Sequence, residues 1–185
     1  MKNQNIEISK FELNAVSHVI EFTDKWIGKG YYTEQQLKEL VWQSKGCSFL
    51  AWDLNFTPQK LIALRLTLAP GAWLQNPCSP TKWNVAHQKV GYFKSLFVHG
   101  NYRSIGLGQK LSNLSLNLVS QLGGEAVITH SWLESPNNSS QIYLKKMGFI
   151  EIATHPKFWN NIDYHCTRCA PNKCICTAVE MIKYI

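Results

Sequence analysis

The sequence contains no stretch approaching the roughly 20 consecutive apolar residues that a membrane-spanning helix requires. Its opening, MKNQNIEISK, has no apolar block of the kind that directs secretion. Charge is sparse at 17%, too little for a chain held open by self-repulsion. The net charge is +7, yet no run of five or more positive residues occurs, so no continuous basic groove is visible. No internal repeat or linker interrupts the chain. These absences set aside membrane, collagen-like, coiled-coil and disordered classes, and neither membrane nor nucleic acid is an expected partner. What is present, 45% apolar and 12% aromatic residues over 185 positions, suits one compact domain spanning 1–185. The expected setting is cytoplasmic. The positive excess suits a phosphate-bearing ligand.

Six cysteines are unevenly placed. Cys47 and Cys78 stand apart, whereas Cys166, Cys169, Cys174 and Cys176 fall within eleven residues. Disulfide frameworks spread cysteines along small secreted chains, while metal sites bunch them. The bunching points to a reducing compartment.

Patterning predicts an alternating order. Residues 5–9 read as a strand and 12–27 as a helix stopped by Gly28 and Gly30. Thr33 with Gln36 forms a capping-box pattern opening a helix to about Ser44. Residues 47–54, 60–69 and 90–98 read as strands. Between the last two lies a loop (70–88) with three prolines; loops of that length are usually lids or binding segments. Trp73 and Trp83 on it suit either burial or an aromatic acceptor wall. A helix over 104–122 places Leu107, Leu111, Leu114, Leu118 and Leu122 on one stripe. Residues 125–132 form a strand, 138–147 a short helix, and 149–154 and 176–184 a strand pair around a cysteine-bearing excursion. The class is α/β.

The segment from Val98 to Gly108 runs strand, turn, helix. Glycines at a helix start expose unpaired N–H groups at the positive end of the dipole, which attracts anions. It matches neither a dinucleotide fingerprint nor a P-loop: no third glycine has the required spacing and no Lys-Ser/Thr pair follows. A helix start that uses glycine only for close packing gives the same pattern.

The stretch resembles the GNAT superfamily of acyl-CoA-dependent N-acyltransferases. Leu96-Phe97-Val98 matches its L-x-V strand, and Arg103-x-x-Gly106-x-Gly108 matches its Arg/Gln-x-x-Gly-x-Gly/Ala turn. Asn137 and Ser140 stand where the family has Asn-x-x-Ala, and Met147-Gly148-Phe149 parallels its Leu-Gly-Phe. Element order agrees over roughly residues 5–155. The resemblance implies a three-layer fold: a mixed, mostly antiparallel sheet splayed between strands four and five, with helices on both faces. It further implies that the backbones of Leu96, Phe97 and Val98 pair with a pantetheine arm. Amides of Arg103, Ser104, Ile105, Gly106, Leu107 and Gly108 would cradle the pyrophosphate of acetyl-CoA or a related acyl-CoA. Asn137 and Ser140 would line the pantetheine side. The implied reaction moves an acyl group to a primary amine, of a small molecule or a peptide, by direct attack in a ternary complex.

The catalytic pattern departs from that family. Where the resemblance implies a Tyr as proton donor, Leu144 stands, with Tyr143 one residue earlier and about 100° away around the helix. Where some relatives carry a strand-five Glu, Trp132 stands; His130 shares its strand face. His130, Tyr143 and Glu134 are the catalytic candidates, and His87 and His99 are weaker ones. A structural histidine at 130 and a core tyrosine at 143 account for the same residues. These departures motivate an alternative: a catalytically silent acyl-CoA sensor or a zinc-stabilised interaction module.

His165-Cys166-x-x-Cys169-x4-Cys174-x-Cys176 marks a metal knuckle at 165–176 between the last two strands. Four thiolates suit a closed, structural zinc (Zn2+) site. Two disulfides, an iron–sulfur cluster and free thiols are the competing readings. Oligomeric state is open, a homodimer included.

Overall fold

The computed structural model describes residues 5–74 and 78–185. Elements follow the expected order. Strand β1 (Ile6–Lys10) leads to helices α1 (Val16–Trp26) and α2 (Glu34–Ser44). Strands β2 (Phe49–Asp53), β3 (Lys60–Leu68) and β4 (Val90–Val98) precede α3 (Leu107–Gln121), β5 (Ala126–Trp132) and α4 (Ser139–Lys146). Strands β6 (Ile150–His155) and β7 (Ala178–Tyr184) close the chain. The capping box at α2 is formed: Gln36 N–H donates to the Thr33 hydroxyl, and Thr33 N–H to the Gln36 side chain.

Among the described residues seven strands make one mixed sheet in the order β1-β2-β3-β4-β5-β7-β6. Only β4 and β5 run parallel, as expected of strands joined by a helical crossover. One face carries α1 and α2 over a core that includes Val19, Leu37, Leu50, Leu64 and Leu66. The other carries α3 and α4 over Phe93, Leu111, Leu116, Leu144 and Phe149.

One expectation changes, and the loop tryptophans take the buried reading of the two left open. The buried stripe of α3 runs through Leu107, Leu111, Ser112, Ser115, Leu116 and Val119, while Leu122 is 45% exposed. The serines turn inward because they meet polar groups there. Ser115 donates to the Cys47 carbonyl, and Ser112 accepts from the buried Arg65 guanidinium. The loop 70–88, of which 75–77 lie outside the described residues, is anchored inward by its two tryptophans while Leu74 stays exposed. Trp83 is fully buried and Trp73 nearly so, its indole N–H donating to the Val90 carbonyl at 2.8 Å.

Candidate active site

The site begins with a failure of strand pairing. β4 pairs with β5 only from Val90–Ala126 to Phe93–Thr129, although both strands continue. The cause lies on the other edge of β4. Its register against β3 jumps from Phe93–Thr67 to Ser95–Leu66, leaving Lys94 as an extra, unmatched residue. Such a bulge bends its strand and adds twist, and it swings residues 94–98 away from β5. Past the bulge, His99 N–H donates to the Ile62 carbonyl on β3 at 2.8 Å. Alternation along the strand then turns the main-chain groups of Leu96 and Val98 into the gap. The Val98 carbonyl there accepts from Arg103 Nε at 3.1 Å.

At the far end of β4 the chain turns into α3. Gly106 is the cap residue at φ +80°, a conformation that side chains resist, and a Cβ there would project into open space. Both facts leave the first amides of α3 accessible to an anion. Ser104 also has positive φ (+64°). Gly108 packs on Leu96 and Val98. Ile105 is exposed, and Leu107 is buried beneath the turn. Asn137 is exposed in a tight left-handed turn at φ +54°, and Ser140 bonds Ser131 on β5 at 3.0 Å.

The gap ends in a cluster of titratable groups. Tyr92 on β4 and His130 on β5 meet there, hydroxyl to Nδ1 at 3.0 Å. Phe158 stacks on His130 with ring centroids 4.2 Å apart, and His155 lies edge-on at 5.5 Å. Beneath them Glu180 on β7, register partner of His130, is fully buried. One Glu180 oxygen accepts from Trp83 Nε1 at 2.7 Å and from Ser79 N–H at 3.1 Å; the other lies 2.7 Å from His155 Nε2. Burial pushes this carboxyl up, but the donors from Trp83, His155 and Ser79, with His130 nearby, outweigh it and hold it below the usual range. The ligand atoms of His130, His155 and Glu180 lie within 4.8 Å of one another. The His155–Glu180 separation is that of a charge-assisted hydrogen bond. Burial holds the Tyr92 hydroxyl well above its ordinary value, so it stays protonated at neutral pH.

The other candidates are placed elsewhere. Tyr143 donates to the Gly108 carbonyl at 3.0 Å and lies 2.8 Å from the Ser112 hydroxyl, under α3. Glu134 accepts the Thr177 N–H with both oxygens at the mouth of β7. His99 caps Asn101 beside Trp26 and Tyr102, and His87 lies against Trp73 and Trp83. Tyr92, His155 and Glu180 escaped sequence reasoning because three different strands supply them. Only strand period links Glu180 to the core, and no local motif marks it.

The knuckle adjoins this cluster through Phe158, whose N–H donates to the Cys176 carbonyl at 3.1 Å. The sulfurs of Cys166, Cys169, Cys174 and Cys176 lie within 4.8 Å of one another, and no pair is bonded. Burial pushes the Cys174 and Cys176 thiols up, whereas at Cys166 the N–H groups of Arg168 and Cys169 and the Tyr164 hydroxyl outweigh burial and bring it down to about 7. Amides aimed at a sulfur two and three residues back favour its thiolate, the form that binds metal. This donor set fits zinc. The knuckle leans on the segment between α1 and α2. His165 N–H donates to the Lys29 carbonyl at 3.0 Å, and the Tyr31 and Tyr164 rings meet at 4.9 Å. Gly28 (φ +144°) is required at this contact, since a Cβ would collide with the His165 carbonyl.

No protein-family model and no curated protein matches this sequence. Solved structures do match. The NatC complex bound to Gag peptide and CoA superposes with a TM-score of 0.70 at 16% identity, covering 97% of this chain and 98% of that one. Arabidopsis thaliana Naa50 in complex with the bisubstrate analogue CoA-Ac-MVNAL gives 0.66 at 15% identity, over 97% and 99%. An acetyltransferase of the GNAT family from Streptococcus pneumoniae gives 0.65 at 14% identity, over 98% and 99%. The chain thus has the GNAT α/β fold. Among the described residues, no helix is long and apolar enough to cross a membrane.

Proposed function

We propose that this protein is one acyl-CoA-dependent N-acetyltransferase domain that acetylates a primary amine by direct attack in a ternary complex. The observation that carries the reading is the gap between β4 and β5, which joins the glycine turn at Arg103–Gly108 to the Tyr92–His130 pair. The N-termini of peptides are the favoured acceptors, because fold neighbours hold a peptide with CoA or a CoA–peptide analogue.

In this reading the amides from Arg103 to Gly108 hold the diphosphate, and the main chain of Leu96 to Val98 guides the pantetheine arm to the bulge. Asn137 and Ser140 line its other side. The amine nitrogen bonds to the thioester carbonyl carbon and loses a proton to the Tyr92 oxygen. Tyr92 passes its own proton to Nδ1 of His130. The buried Glu180 carboxylate favours the resulting imidazolium, as a fixed anion favours any nearby cation. Collapse of the tetrahedral intermediate breaks the C–S bond, and the proton returns to the thiolate. Zinc, held by Cys166, Cys169, Cys174 and Cys176, would have no open position and would supply only structural rigidity.

Free-thiol release from acetyl-CoA across a panel of peptides and small amines tests the reading. Turnover on at least one amine is expected. Calorimetry that detects no binding of CoA to the folded protein overturns it. CoA binding without turnover on any amine favours the acyl-CoA sensor, a reading motivated by Leu144, which is buried in the α4 core rather than facing the gap.

A further inference from the structure

The bulge that opens the gap also turns a cation toward the face of α1 and α2. Lys94 and Ser95 both reach Tyr32, just before α2. The Ser95 hydroxyl lies 2.8 Å from the Tyr32 hydroxyl, and Lys94 Nζ stands 5.6 Å from the centre of the Tyr32 ring. The side chain is half-buried, and burial draws its ammonium below the usual lysine range with no opposing charge to offset it. Among the described residues no carboxylate lies within ion-pair distance of Lys94, and its ammonium faces the Tyr32 ring. The other buried charges of the fold are supplied with partners. Glu180 has three donors, Asp53 accepts from Tyr102 and Asn55, and Arg65 donates to Ser112 and lies over Phe93.

The partner of Lys94 is not the diphosphate. Leu96 and Val98 turn their side chains to Gly108 on the α3 face, whereas Lys94 turns to Tyr32 on the face of α1 and α2. That second face holds Tyr92, whose ring stacks on Trp73, and so holds the acceptor side of the gap. If the acceptor amine approaches Tyr92 from this face, a desolvated cation on the same face has two effects. It repels acceptors that bring only positive charge, and it attracts those that bring a carboxylate.

Resting on the transferase reading above, we propose that Lys94 determines acceptor specificity, and that the acceptor carries a carboxylate within a few atoms of its reacting amine. Polyamines and basic peptides are rejected by the same charge.

Matched acceptor pairs test this by thiol release: short peptides with Asp against Asn, and Glu against Gln, at the first or second position, free aspartate and glutamate, and putrescine. The two peptide positions and the free amino acids distinguish where the carboxylate must sit. The carboxylate member of at least one pair should show about tenfold or higher kcat/KM, the kind of margin a built polar contact provides, and putrescine should be poor. Lys94→Met should abolish the preference, Lys94→Arg should keep it, and Lys94→Glu should move it toward peptides with Lys at the same position. Calorimetric CoA affinity should be unchanged in each variant, which separates a specificity effect from misfolding. Equal kcat/KM within every pair for the unmodified protein, no turnover of any carboxylate acceptor, or a preference that survives Lys94→Met overturns the proposal. The first and third of these leave the transferase reading standing, because turnover itself is then observed; absent CoA binding would sink that reading instead.

Discussion

Tyr92, in the paired part of β4, meets His130, one residue beyond the last rung that joins β4 to β5, at 3.0 Å. The sheet therefore brings a phenol and an imidazole together at the point where it opens. Replacing Tyr92 with Phe or His130 with Asn should lower kcat by about 10²-fold or more, the usual weight of a positioned acid or base. Acetyl-CoA affinity should stay near its original value. Steady-state kinetics with a calorimetric titration of CoA checks both, and an unchanged kcat in both variants would remove the pair from the chemistry.

Gly106→Val introduces a side chain at φ +80° and into the space before α3. The left-handed strain should cost about 1–3 kcal/mol of stability, and CoA binding should weaken further because the added atoms fill the anion's approach. Thermal melts and CoA calorimetry on one preparation separate the two effects. A destabilised variant with intact CoA affinity would argue that the glycine serves only the turn.

Chelating the zinc proposed at the four cysteines, or replacing Cys174 with Ser, should loosen residues 156–177 and, through the His165–Lys29 and Tyr164–Tyr31 contacts, the segment between α1 and α2. Hydrogen exchange should rise in both segments. The acceptor KM should increase while CoA affinity holds, since the glycine turn lies elsewhere. Native mass spectrometry that finds no bound zinc in reductively purified protein would contradict this.

Glu180 makes stability depend on pH in a defined direction. Its carboxyl is held below the unfolded value, so its contribution is fully present above the ordinary glutamate range. That contribution is lost as the pH falls through the folded value. Glu180→Gln should flatten this acid limb and, by weakening the bonds to His155 and Trp83, lower stability at pH 7 by about 1–3 kcal/mol. Denaturant unfolding from pH 3 to 7 checks the slope. A limb of the same steepness in Glu180→Gln would assign the acid sensitivity to another group.

The local elements were legible because their signals are local. Thr33 and Gln36 cap α2 as their spacing predicts, since both bonds close within one turn. The leucine stripe expected on α3 ends before Leu122, which remains exposed: a leucine repeat records period but not where the sheet stops. The two loop tryptophans carried no indication that one would bind a buried carboxylate about a hundred residues away.

By itself the sequence determined the element order, the glycine turn into α3 and the bunching of four cysteines, because each depends on neighbours within about a dozen positions. Tertiary structure alone decided the bulge at Lys94, the gap it opens and the meeting of Tyr92, His130, His155 and Glu180. Those relationships cross strands, and strand pairing is a competition among distant segments whose outcome no single segment encodes.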